Sequence, residues 1–394
     1  MNSSCLKILV LSRTSERDGI ADYTRQLFRG GRPKDDILSI SVKNISPWQM
    51  FTAPFRRAQI IHIHHEFLMF DRFISITAFG YFTWLKFWSL ICGNRVVTTF
   101  HSTYDVNNID EALAHLMRWR HLFPIICIYL RLHIMFVTKC SNKIIVLSKL
   151  GKENLAKILS AWIMQHKVVY VHLGTYSCSI AMKKSGLLWS RYSINKEESI
   201  FTLFGFAFPQ KGYEFAIKAM NILVNQRKRE DIRLVIVSGD NIGAGLPGGG
   251  QGLSYIVYLR KLTTQYHLDD KIIFTGYLAN DDPLLENIFA DTYCFLFPYR
   301  NRHFASGAIS TVLATHKPVL VSDIRSFEEY EGLMSFAKEN AIALADKMMD
   351  FLDNPQKMTE LAAISRYNAE KFSMDKAFLR HVEIYRELSR KLVK

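Results

Sequence analysis

Short apolar, β-branched runs punctuate the first half of the chain, at residues 7–11, 60–64, 96–100, 143–147 and 168–171, each closed by polar or turn-forming residues. Runs of that length bounded by turns predict buried strands. Helical spacing fills most of the gaps between them. The block 20–28 (IADYTRQLF) follows the first strand across a short polar loop. The block 148–164 opens on Ser148, a good N-cap, before LGKENLAKILSAW. Residues 176–198 break the pattern with many polar positions and weak periodicity, which predicts an interdomain linker. The alternation then restarts. Strands are predicted at 199–205, 233–238, 271–275, 293–298 and 319–322, and helices at 213–225, 254–266, 282–289, 307–315, 340–352 and 375–392. Alternating strands and helices imply an α/β fold with parallel sheets. Two such series imply two doubly wound, Rossmann-like domains facing a cleft, over 1–180 and 181–375, with a C-terminal helix at 376–394 packing back on the first. Ligands in such sheets sit beyond the carboxyl ends of the strands.

Two apolar segments need a separate reading. Residues 73–92 are broken by Lys86, and 122–138 by Arg131 and His133. Both fall short of the roughly 18–20 uninterrupted apolar residues that span a bilayer. They are either core helices on a sheet or helices in contact with a membrane interface. Charge bears on the choice. The chain carries 50 Lys+Arg against 36 Asp+Glu, and the whole excess lies in residues 1–196. One basic half suggests a polyanionic partner: nucleic acid, an anionic membrane surface or a phosphorylated substrate. The aromatics sit in apolar runs instead of interleaving with Lys/Arg on strands, which disfavours nucleic acid. The six cysteines form no CxxC pair, which points to neither structural zinc nor a disulfide framework and fits a reducing cytoplasm. The start, MNSSCLKILVLSR, reads as a buried strand and not as a secretory signal.

The candidate chemistry lies at predicted strand ends. In FTLFGFAFPQKGY (201–213) a strand ends at Gly205, a short loop carries Lys211 and Gly212, and a helix starts at once. Backbone N–H groups and an ammonium then converge on one point, a site suited to a diphosphate. A solvent-facing lysine before a helix is the plain alternative. In 293–323 a strand ends at Pro298, and Ser306–Gly307 opens a helix that Ser306 is placed to cap. Gly19 lies between the first strand and helix, where a glycine permits close approach of an anion or simply makes a turn. Glu66 and His101 each sit just past a strand end. The glycine-rich stretch 243–252 lacks GK[ST] and GxGxxG spacing and reads as a surface loop.

The ordered set DGIADYT (18–24), IIHIHHEF (60–67), TFHS (99–102), KIIVLS (143–148), YVHLGT (170–175), GFAFPQKG (205–212), IIFTGYL (272–278) and the 297–323 block resembles the retaining GT-B glycosyltransferases of family 4, the "group 1" class. The resemblance covers nearly the whole chain. It implies an N-terminal acceptor domain and a C-terminal nucleotide-sugar domain. By resemblance, His101 and Lys211 are catalytic: His101 meets the transferred sugar and Lys211 holds the diphosphate. Gly19, Gly205, Gly212, Gly276, Tyr277, His303, Ser306, Gly307 and Thr311 address the donor, with the base near 276–278. Glu66 and Asp22 address the acceptor. The chain departs from the family in two places. Phe206, Ala207 and Phe208 stand where an Arg usually precedes the loop Pro-x-Lys-Gly. The family's two glutamates, eight positions apart, map onto His303 and Thr311, although Ala305–Ala308 resembles an SGA-type version of that segment.

The implied activity moves a sugar from a nucleotide sugar to a hydroxyl of a glycolipid or polysaccharide precursor in cell-envelope synthesis. The nucleotide sugar is a co-substrate, and no cofactor is expected. No Asp-x-Asp occurs, so no metal is expected on the phosphates. Two alternatives stand beside this: a catalytically weak or inactive GT-B-like partner subunit, and a sugar-nucleotide epimerase. The expected location is cytoplasmic, peripheral on the inner face of the cell membrane.

Overall fold

The computed structural model describes residues 5–15, 18–28, 38–66, 76–105, 123–175, 186–239, 249–279, 281–300 and 306–390. Two six-stranded sheets organise it, each wholly parallel. The first runs in the order β2-β1-β3-β4-β5-β6, built from β1 (Leu6–Ser12), β2 (Leu38–Asn44), β3 (Ile60–His65), β4 (Arg95–Phe100), β5 (Lys143–Val146) and β6 (Val168–Tyr170). The second runs in the order β12-β11-β10-β7-β8-β9. It comprises β7 (Ser199–Phe204), β8 (Ile232–Val237), β9 (Ile272–Phe274), β10 (Thr292–Phe297), β11 (Val319–Ser322) and β12 (Met334–Phe336). Both sheets carry helices on both faces, as near-continuous apolar strands require.

On one face of the first sheet pack the helices Pro47–Thr52, Ile76–Cys92 and Phe123–Cys140. Their inward residues, among them Phe82, Leu85 and Ile134, are buried against Ile61, Ile63 and Val96. The two long apolar segments are thus sheet-packing helices on their inner side. No helix among the described residues is long and apolar enough to cross a membrane. The opposite face is covered by the Gly19–Phe28 and Met374–Arg390 helices, the latter burying Phe378 and Tyr385 against Ile8 and Val10.

Two sequence expectations need correction. Residues 176–185 of the predicted linker lie outside the described residues, but Leu187–Tyr192 is a helix, and Leu188 and Ile194 are buried in the second core. The surrounding polar residues mask these two anchors. The stretch 243–252, read as a surface loop, gives way from residue 249 to a helix, Gly249–Gln265, which starts five residues before the predicted 254.

The chain crosses between the sheets twice, and the crossings pair. Thr175 N–H donates to Phe372 O at 2.7 Å, and Met374 N–H donates to Thr175 O at 3.1 Å. Gly174 makes this approach possible, since a Cβ there would lie 2.7 Å from Met374 Cα. Beside the crossing, Glu329 of the second domain accepts from Lys149 N–H and the Tyr170 hydroxyl of the first, both at 3.1 Å. Burial pushes the Glu329 carboxyl up to about 7.

Candidate functional site

The carboxyl end of β7 is where the predicted anion site lies. Gly205 follows the strand with φ +106°, a conformation that L side chains rarely adopt. Its carbonyl accepts from the Tyr213 hydroxyl at 2.9 Å. Residues Pro209–Lys211 form one 3₁₀ turn, closed by Lys211 N–H donating to Phe208 O at 2.8 Å. Gly212 then takes φ +60° against β10, where a Cβ would sit 2.1 Å from Pro298 O. This turn folds the Lys211 side chain back over the strand end. The ammonium is 6 % exposed as part of its residue, 5.6 Å from the Tyr299 ring centroid, and 2.8 Å from the point a Gly205 Cβ would occupy. The same point is 3.1 Å from Ala308 Cβ, in the Gly307–Leu313 helix. Strand end, ammonium and the start of that helix therefore meet.

An ionic group with one buried member, Glu214, fixes the turn. Arg300, just past β10, donates its N–H to Gln210 O at 2.9 Å, and its guanidinium pairs with Glu214 and with Glu339. Glu214 also accepts from the Tyr255 hydroxyl, and the guanidinium lies 4.8 Å over the Phe215 ring. Sequence reading did not find this group. Its members are up to 125 residues apart and follow no motif.

The other donor-side candidates divide. Ser306 does not cap its helix; its hydroxyl lies 3.3 Å from the Tyr299 hydroxyl instead, which corrects the expectation. Thr311 donates its hydroxyl to Gly307 O at 3.0 Å, so that group is engaged inside the helix. His303 lies outside the described residues. Gly276 has φ +78°, and the next residue, Tyr277, stands parallel to Phe206 with ring centroids 6.2 Å apart. Gly239 leaves room for it, since a Cβ there would lie 2.4 Å from Tyr277 Cβ. A flat aromatic pair thus spans the ends of β7 and β9. Phe206, the first of the three residues that stand where an Arg was expected, belongs to it.

In the first domain, Asp18 accepts from the N–H groups of Ile20 and Ala21 at 2.8 and 3.1 Å and pairs with Arg13 at 3.0 Å. The first amides of the Gly19–Phe28 helix are therefore taken. Gly19 offers bare backbone: a Cβ there would meet nothing within 4 Å among the described residues. His101, just past β4, has Nε2 3.0 Å from His64 Nδ1. His64 Nδ1 is also 3.3 Å from Thr24 Oγ1, which meets Ser12 Oγ at 2.7 Å. Neither His64 nor this chain of contacts was singled out from the sequence, although IIHIHHEF contains it. Burial pushes His101 down to about 3 despite the upward pull of Asp18, so its imidazole is neutral. His64 is likewise held well below the usual range by burial and by neighbouring His62 and His101. Glu66 accepts from the Ser102 hydroxyl at 2.8 Å, next to His101. Asp22 lies one turn into the first helix, 3.5 Å from Arg25.

Residues 198–354 match the family model described as Glycosyl transferases group 1. No curated protein matches the sequence. Solved structures do match over nearly the whole chain. HepE (Alr3699) of Anabaena, in complex with UDP and glucose, superposes with a TM-score of 0.71 at 12 % identity, covering 97 % of this chain and 100 % of its own. A glycosyltransferase from Rickettsia africae ESF-5 gives 0.67 at 14 % identity, covering 98 % and 99 %. Sucrose-phosphate synthase from Thermosynechococcus elongatus gives 0.65 at 16 % identity, with the same coverage. At these identities the likeness is one of fold, the two-domain GT-B architecture.

Proposed function

We propose, from the premise that this chain is a divergent group 1 glycosyltransferase of the GT-B fold, that it transfers a sugar from a nucleotide sugar to a hydroxyl of a glycolipid or polysaccharide precursor, with retention and without a metal. The observation that carries the reading is the position of the Lys211 ammonium, folded over the end of β7 beside Ala308. Breaking a sugar–phosphate bond leaves negative charge on the departing diphosphate. A fixed ammonium in a site shielded from water stabilises that charge with little reorganisation. The proton of the acceptor hydroxyl passes to the leaving phosphate oxygen, so no separate base is needed. Lys211 supplies positive charge where the family's Arg is missing. His101, neutral and held by His64, offers the sugar a hydrogen bond and no charge. The Phe206–Tyr277 pair gives the base an apolar floor. The basic first half suits an acceptor bearing phosphate. HepE was solved with UDP and UDP-glucose, which makes uridine donors the first to try. The test is a donor-hydrolysis screen over UDP-, GDP- and ADP-sugars. Release of nucleoside diphosphate from at least one donor is expected. Binding without release would favour the inactive partner-subunit reading, and an epimerised nucleotide sugar would favour the epimerase.

A further inference from the structure

The helices that cover one face of the first sheet present a second, outward face that no other described element covers. The Pro47–Thr52 helix and the 3₁₀ turn after it expose Trp48, Phe51 and Phe55. The Ile76–Cys92 helix beside it exposes Phe87, Leu90 and Ile91. The Phe123–Cys140 helix, packed on the same neighbour, exposes Ile125, Ile128, Leu132 and Met135 along one stripe. These three segments hold more than half of the large hydrophobic side chains exposed among the described residues. Scattered exposed apolar residues are ordinary, but a contiguous set marks an interaction surface.

The aromatic part of the surface is rigid. Phe51 stacks on Trp84 at 4.3 Å and 10°, Trp84 Nε1–H donates to Phe51 O at 2.9 Å, and Phe55 meets Trp88 at 5.1 Å. Charge identifies the occupant. None of the three helices, nor the turn, contains a single Asp or Glu, while Arg56, Arg57, Lys86, Arg131 and Lys139 lie among or beside the apolar groups. A second copy of the chain docking across a two-fold axis would set these cations against one another. An anionic bilayer instead receives the aromatics and aliphatics at the acyl boundary while Lys and Arg reach headgroup phosphates.

We propose that this three-helix face docks the protein on an anionic lipid surface, with Trp48, Phe51, Phe87 and Ile128 entering the interface and Lys86 and Lys139 on the headgroups. The docking does not depend on glycosyl transfer. A chain that floats with vesicles yet releases no nucleotide keeps this inference and loses the other.

The test is flotation of the full chain with vesicles of phosphatidylcholine alone or with about a third phosphatidylglycerol, at low and at high salt. Co-flotation is expected with the anionic vesicles and reduced by salt. Each lysine near the surface is worth about fivefold in partitioning, so Lys86→Glu with Lys139→Glu lowers it by at least about 25-fold. Phe87→Ser with Ile128→Ser also lowers flotation at low salt. These positions lie on helices of the first sheet and are none of the donor-site residues, so thermal unfolding and the response to nucleotide serve as folding controls for both variants. Wild type remaining with the soluble fraction at low salt would overturn the inference. So would equal flotation on neutral vesicles, or self-association in sedimentation that the serine variants abolish while flotation is absent.

Discussion

Gly205→Ala probes the Lys211 arrangement without removing the lysine. Two effects of the added methyl can be separated. The backbone at 205 has φ +106°, which an L residue adopts at a cost of about 1–3 kcal/mol. At about 2–4 °C per kcal/mol for a domain of this size, Tm falls by about 2–12 °C. The methyl also arrives 2.8 Å from Lys211 Nζ, whereas ordinary contact is about 3.5 Å or more. The lysine tip is mobile and yields by about 0.7 Å on that spacing. If the ammonium sits about 2.8 Å from a phosphate oxygen in the wild type, moving it to about 3.5 Å weakens each charge–charge term by about 1 kcal/mol at an effective dielectric of about 20. Nucleoside diphosphate affinity then falls about five- to tenfold. Differential scanning calorimetry reads the first effect and isothermal titration calorimetry the second. A variant with lowered Tm but unchanged affinity would refute the placement of Lys211 against the diphosphate. An unchanged Tm would refute the described backbone at 205.

Three further outcomes follow from the geometry. Burial raises Glu329 to about 7, above the value near 4.5 of the unfolded chain, so its contribution to stability is complete below about pH 4.5 and is lost as pH rises through about 7. Glu329→Gln is neutral throughout, and should therefore gain about 1–3 kcal/mol at pH 8 relative to its difference from wild type at about pH 4; equal differences at both pH values, in thermal melts, would contradict this. His101→Ala should lower kcat about 10- to 100-fold, one hydrogen bond at the reacting sugar, with donor affinity nearly unchanged; because His101 sits at about 3, the wild-type pH–rate profile should lack a histidine inflection near its ordinary value. Incubation with EDTA should leave turnover unchanged, and a loss restored by Mg²⁺ would contradict metal-independent transfer.

The parallel sheets were legible because their central strands are buried on both faces. The run at 60–64 and the run at 199–205 are apolar enough to be read without neighbours. β2 was missed although its alternation of Ser with Leu, Ile and Val is that of a half-buried strand; the run is short, and most of Leu38–Asn44 faces solvent. β12 is only three residues long, and the polar helix Gln356–Lys371 buries few residues. At the candidate site, Gly205, Lys211 and Gly212 were found because strand, turn and helix are contiguous there. Arg300, Glu214 and Tyr255 were not, because their contacts exist only after the chain has folded. Ser306 was read as a cap from its position, but Tyr299, seven residues earlier, draws its hydroxyl away. The exposed stripes on the Ile76–Cys92 and Phe123–Cys140 helices could not be separated from core by periodicity alone. Both sides of those helices are apolar.

Calorimetric comparison of nucleoside diphosphate with nucleoside monophosphate, in wild type and in Lys211→Ala, tests the diphosphate cradle most directly. The second phosphate should improve wild-type affinity by about tenfold or more, the worth of one strong charge-assisted contact, and that preference should vanish in Lys211→Ala while monophosphate affinity stays the same. A diphosphate preference that survives loss of the ammonium would contradict the account.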